Sequence, residues 1–108
     1  ADQVVCAEIG YVEARAALAA AHRNRRLASA EMHTAKVQFE LLWEQVSVVA
    51  VDTALVQAAG DLAELEGLRG YDAVHLAAAV VTQASVVASA DRQLLEAARS
   101  RGFGVAQP

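Results

Sequence analysis

The stretch Gly67-Leu68-Arg69-Gly70-Tyr71-Asp72-Ala73-Val74-His75-Leu76-Ala77-Ala78-Ala79 holds a helix stop, a turn and the start of the most apolar helix in the chain. Gly closes helices and Asp opens them, so one helix is expected to end at Gly67 and the next to begin at Tyr71 or Asp72. Leu76 and Ala79 share a face with His75. The run Ala77-Ala78-Ala79-Val80-Val81 is apolar almost all round, which predicts a buried helix. Asp72 falls in its first turn, where unpaired backbone N–H groups and the positive end of the helix dipole favour an ionised carboxylate. An acid at the mouth of a buried helix is either a cap or a ligand.

Working outward, the chain alternates strand and helix. Upstream, Gln3 to Cys6 is a short β-branched strand, followed by a helix from Glu8 to about Ala21 with Ile9, Val12, Ala16, Ala19 and Ala20 at three- and four-residue spacing. Glu13 falls inside that apolar stripe and Arg15 points away. A carboxylate on the core side needs a partner, because burying it alone costs several kcal/mol. A second helix is expected from Ser29, its cap, to Gln45, with Met32, Ala35, Phe39, Leu42, Trp43 and Val46 on one face. Val46 to Val51 is a strand, and Asp52 caps a helix with Leu55, Ala58, Ala59, Leu62 and Ala63 inward. Downstream of the Asp72 helix, Ser85 to Ser89 reads as a buried strand, Asp91 to Arg101 as a helix stopped by Gly102, and Gly104 to Ala106 as a last edge strand.

Apolar strands separated by helices imply an α/β domain, a parallel β-sheet flanked by helices. The 108 residues and 56% hydrophobic composition make one domain, 1–108, with a real core. The net charge of −4 excludes a global basic field for nucleic acid or anionic membrane. His22-Arg23-Asn24-Arg25-Arg26 is the one basic cluster, a solvated inter-helix loop or a local phosphate contact. The single cysteine, Cys6, excludes an internal disulfide, fits a reducing compartment and reads as a small core residue. No run approaches the roughly 18 apolar residues that span a bilayer, and a cytoplasmic location is expected. Met32 is the single methionine, and the chain has no initiator Met, so an upstream piece is expected.

In parallel sheets, ligands bind beyond the carboxyl ends of the strands, where the following helices begin. Asp91 belongs on that rim, the Asp72 helix starts near it, and Glu13 reaches it if its helix leans over. Carboxylates meeting there repel by about 4 kcal/mol per pair at ~4 Å with an effective dielectric near ~20. A hard divalent cation offsets that repulsion and acidifies water for phosphodiester cleavage. Each acid also has a bland reading: Asp72 as a cap, Glu13 as a residue on a shallow stripe. Ser89 is a cap or a hydrogen-bond partner of a metal-bound water, and His75 a packed, hydrogen-bonded histidine. His22, His33, His75 and Cys6 show no zinc spacing, and no Gly-rich phosphate loop is present.

Tyr71-Asp72-Ala73-Val74-His75-Leu76-Ala77, followed by Ser89-Ala90-Asp91-Arg92-Gln93-Leu94-Leu95 and preceded by Tyr11-Val12-Glu13-Ala14-Arg15, resembles a PIN domain of the VapC toxin type. The resemblance covers nearly the whole chain. It implies a Mg²⁺- or Mn²⁺-dependent endoribonuclease with Glu13, Asp72 and Asp91 as three of four metal-binding acids, and Ser89 where a Thr or Ser commonly assists. It further implies an RNA substrate, a cognate antitoxin and a homodimer. The family's opening strand ends in a fourth Asp that this sequence does not supply, and Ala1-Asp2 is not that motif. That strand is the central one of a sheet ordered 3-2-1-4-5. Its absence predicts an N-terminally incomplete domain with open edges mid-sheet, a gap filled by another chain, or strands closed up differently. The competing class is a non-catalytic PIN-like module that keeps the antitoxin or dimer surface.

Overall fold

The computed structural model describes residues 4–89 and 91–107. Gln3, where the sequence starts the first strand, lies outside the described residues, as does Asp2. The elements run β1 (Val5–Ala7), α1 (Ile9–Arg23), α2 (Ser29–Trp43), β2 (Ser47–Val49), α3 (Thr53–Glu66), α4 (Gly70–Thr82), β3 (Val86–Ala88), α5 (Arg92–Ser100) and β4 (Gly104–Ala106). Parallel neighbours need a crossover, and helices supply it. The α1–α2 pair links β1 to β2, which align Val5 with Ser47 and Ala7 with Val49; α5 links β3 to β4, which align Val86 with Gly104. The described strands form two separate parallel pairs, β1-β2 and β3-β4. They have not closed up into one sheet.

Local chemistry sets most helix ends. Asp52 accepts the Leu55 N–H at 2.9 Å and caps α3, and Gly67 closes it in the left-handed conformation (φ 64°), where a β-carbon would be strained. Gly102 (φ 90°) follows α5. Ser29 is not a cap. Glu31 reaches back to accept the Ala28 N–H at 2.8 Å, so Ala28 is the N-cap, and the Ser29 hydroxyl meets His22 Nε2 instead. Nothing in the sequence marks the end of α4, where Gln83 adopts φ 55°.

The core belongs to the second half of the chain. Leu55, Ala59 and Leu62 of α3 pack with Leu68, with Ala73, Leu76, Ala77 and Ala79 of α4, with Val87, and with Leu94, Leu95, Ala97 and Ala98 of α5. The expectation of a helix buried all round holds for Ala77 to Ala79 and fails at its end, since Val80 and Val81 emerge into solvent. The inward faces expected of α1 and α2 also need correction. Neither helix has a buried residue, Val12 is 63% exposed and Leu42 is 61% exposed. The two pack on each other through Tyr11, Phe39 and Trp43, whose ring centroids lie 5.5 to 5.9 Å apart. Arg15 does not point away. Its guanidinium donates to the Tyr11 hydroxyl at 2.6 Å and pairs with Glu40 at 3.3 Å, while the Tyr11 hydroxyl donates to Glu40 at 2.5 Å. Residues two apart on a helix differ by about 200°. With α2 on one side of α1 and α4 on the other, Arg15 and Glu13 both face neighbours, which a single-stripe reading cannot anticipate.

Candidate functional site

Asp72 is the third residue of α4 and its side chain caps nothing. Its Oδ2 instead accepts from Arg69 Nε and Nη2, both at 3.3 Å, and its side chain is 13% exposed. Asp91 divides its two oxygens. Oδ1 accepts the Leu94 N–H at 3.1 Å and so caps α5, while Oδ2 takes Arg69 Nη2 at 2.5 Å. One guanidinium nitrogen thus touches a carboxylate from the start of α4 and one from the start of α5. The Asp91 carboxyl is held below its ordinary range, first by the Leu94 N–H and then, against its own desolvation, by the Arg69 charge. Arg69 is held more firmly protonated by its hydrogen bond to Asp72 and by the charges of both acids. The Ser89 hydroxyl accepts the Asp91 N–H at 3.0 Å, which fixes the turn entering α5.

Glu13 lies next door. Its Oε1 sits 2.5 Å from His75 Nε2, a bond that requires the proton on Nε2 because a carboxylate accepts. His75 stands one turn after Asp72, and residues three apart share a helix face. Glu13, His75, Asp72, Arg69 and Asp91 therefore form a continuous polar line across α1, α4 and the start of α5. Gly10 lets the start of α1 pass close over Cys6 of β1. A β-carbon there would collide with Cys6 Sγ and stand 3.6 Å from His75 Cε1. Cys6 is half-buried, and burial, aided by the Glu13 charge, pushes its thiol pKa up.

Sequence reasoning singled out Glu13, Asp72, Ser89 and Asp91, and the structure brings Asp72, Ser89 and Asp91 together, while Glu13 is bonded to His75, one turn along α4 from Asp72. It missed Arg69 and Gly10. An Arg three residues before an Asp is a standard helix-surface pair, and a Gly in the first turn of an Ala-rich helix signals close approach; either signal was available. Among the described residues no group of three or more His, Cys, Asp and Glu side chains converges as a metal cage. The Asp72 and Asp91 oxygens are nonetheless hard donors already aimed at one cationic group, Arg69, so the pair fits a divalent cation on chemical grounds.

A PIN-domain family model matches residues 1–100, a span that contains Glu13, Asp72, Ser89 and Asp91. The chain is also 40% identical over 107 residues to ribonuclease VapC45 of Mycobacterium tuberculosis (strain CDC 1551 / Oshkosh), and equally to ribonuclease VapC49 of Mycobacterium tuberculosis (strain ATCC 25618 / H37Rv). The chain belongs to the PIN-domain family. Each alignment covers 97% of this chain and 74% of the relative. The mixed α/β architecture with parallel strand pairs agrees with that membership. Among the described residues of the PIN domain, no helix is long and apolar enough to cross a membrane.

Proposed function

We propose that this PIN domain is a VapC-type endoribonuclease, the toxin of a toxin–antitoxin pair, that hydrolyses RNA phosphodiesters with Mg²⁺ or Mn²⁺. The observation that carries the reading is the meeting of Asp72 and Asp91, from the starts of two different helices, on a single cationic group. When bound, a divalent ion supplies a Lewis acid and acidifies water. Asp72 and Asp91 would hold it, and Glu13, released from His75, would be the third acid. Ser89 fixes the Asp91 backbone, and the Leu94 N–H keeps the Asp91 carboxylate ionised. Likeness to the VapC ribonucleases supports an RNA substrate, a cognate antitoxin, a homodimer and a cytoplasmic setting. Base preference does not come from these acids, which address metal and phosphate.

The alternative, a non-catalytic binding module, draws on the engagement of Glu13 with His75 in place of the acid pair. Incubation of end-labelled single-stranded RNA with the chain separates the two. The enzyme reading expects fragments with Mg²⁺ or Mn²⁺ and none with a chelator. Intact RNA under every ion condition, from a folded chain, leaves the binding module.

A further inference from the structure

The acid pair is never bare, because the protein carries its own cation. Arg69 is the N-cap residue of α4, and its Nη2 lies 3.3 Å from Asp72 and 2.5 Å from Asp91. Its side chain is 74% exposed, whereas the two carboxylates are 13% and 24% exposed. The acids are therefore fixed by the fold, and the guanidinium is the partner free to leave. Asp91 is anchored by its cap to Leu94 and Asp72 by its place in the first turn of a helix whose following residues are the core. We propose that Arg69 is a built-in counter-ion of this acid pair, which a divalent cation must displace, so that Arg69 sets the ion affinity of the site. The inference rests on the metal-dependent reading above.

Space and charge both set ion against guanidinium. A Mg²⁺ ion binds carboxylate oxygen at about 2.1 Å, inside the radius at which Arg69 Nη2 now touches the same atoms, so ion and nitrogen cannot share the position. One guanidinium leaves the pair with a residual negative charge, and a dication removes it. Exchange is inexpensive because exposed ion pairs contribute little. The guanidinium loses two solvent-facing contacts and regains water.

Calorimetric titration of Mg²⁺ into the full chain, as wild type, Arg69→Gln and Arg69→Lys, tests this. Arg69→Gln is expected to bind roughly two- to fivefold more tightly than wild type, the range that loss of a weak exposed ion-pair competitor allows, with Arg69→Lys between them. The ion-free Arg69→Gln protein should also melt below wild type, because its acids then face each other unscreened. In wild type the Arg69 Nε–H NMR signal should move as Mg²⁺ is added and stop moving at saturation, a readout independent of whether Arg69→Gln folds. Equal or weaker binding by a folded Arg69→Gln, or an Arg69 signal that ignores a bound ion, overturns the counter-ion role and leaves the metal reading standing. Absence of binding by both wild type and Arg69→Gln defeats the metal reading and this inference with it.

Discussion

Replacing Gly10 with Ala tests how α1, which carries Glu13, packs on β1. The added β-carbon would overlap Cys6 Sγ, which can retreat only by turning about its single side-chain torsion or by pushing α1 off β1. Overpacking of this kind costs about 1 to 3 kcal/mol, and the gain in helix propensity from Gly to Ala returns up to about 1 kcal/mol. The net expectation is a loss of about 1 kcal/mol, read as a fall of about 4 °C in Tm for a chain of this size. Truncating the obstacle should reverse the sign. In a Cys6→Ala background, Gly10→Ala should raise Tm, since only the propensity gain remains. The same double-mutant cycle has a functional readout, because α1 carries Glu13. The His75 Nε2–H NMR signal, set by its bond to Glu13, should shift in Gly10→Ala and return in the double variant. A Gly10→Ala protein that melts higher than wild type with an unmoved His75 signal, or an equal effect in both backgrounds, would refute the close-approach argument.

Other outcomes follow from single contacts. Leu76 is fully buried in the α3–α4–α5 core, so Leu76→Ala should cost about 2 to 5 kcal/mol in chemical denaturation. Asp52→Ala removes the α3 cap and should cost about 1 kcal/mol while leaving Mn²⁺ binding unchanged, because Asp52 serves Leu55 alone. The depressed Asp91 pKa means the folded chain binds fewer protons there than the unfolded chain. Its contribution to stability is present above the ordinary Asp pKa of about 4 and is lost as pH falls through the lower folded value, so Asp91→Asn should flatten that acid limb. Cys6 has the opposite sign. With its folded pKa raised above 9.0, its contribution is complete below that pH and lost as pH rises further, and Cys6→Ala should flatten the alkaline limb.

Elements governed by near neighbours were legible in the sequence. Asp52 and Gly67 mark both ends of α3, Asp91 marks the start of α5, and the Gly104–Ala106 strand falls where read, because caps and left-handed stops act within a few residues. The exposed faces of α1 and α2 were not legible. Periodicity says which residues share a face, not whether anything lies against it, and here Val12 and Leu42 meet solvent while Tyr11, Phe39 and Trp43 join the two helices. Pairing of strands is likewise non-local. The apolar runs implied a parallel sheet, and only the resemblance to a known fold suggested a break between the first two strands and the last two. At the site, Asp72 and Asp91 stood out as helix-start acids. The spacing of Arg69 and Asp72 hints at their pairing, but the reach of Arg69 to Asp91, 22 residues on, is non-local and carries no sequence signature. The partner of Glu13 was hidden for a related reason, since it lies 62 residues away, at His75.

The most direct test of the central claim, that Asp72 and Asp91 together hold a divalent ion, is thermal melting of the chain across a Mn²⁺ titration, with Asp72→Asn and Asp91→Asn in parallel. Asn keeps the shape of both residues and an oxygen for the α5 cap, so folding should persist while the ionic ligand is lost. The account predicts a saturable rise in Tm for wild type that both variants lose. A Tm that rises equally in all three proteins, or in none, would contradict it.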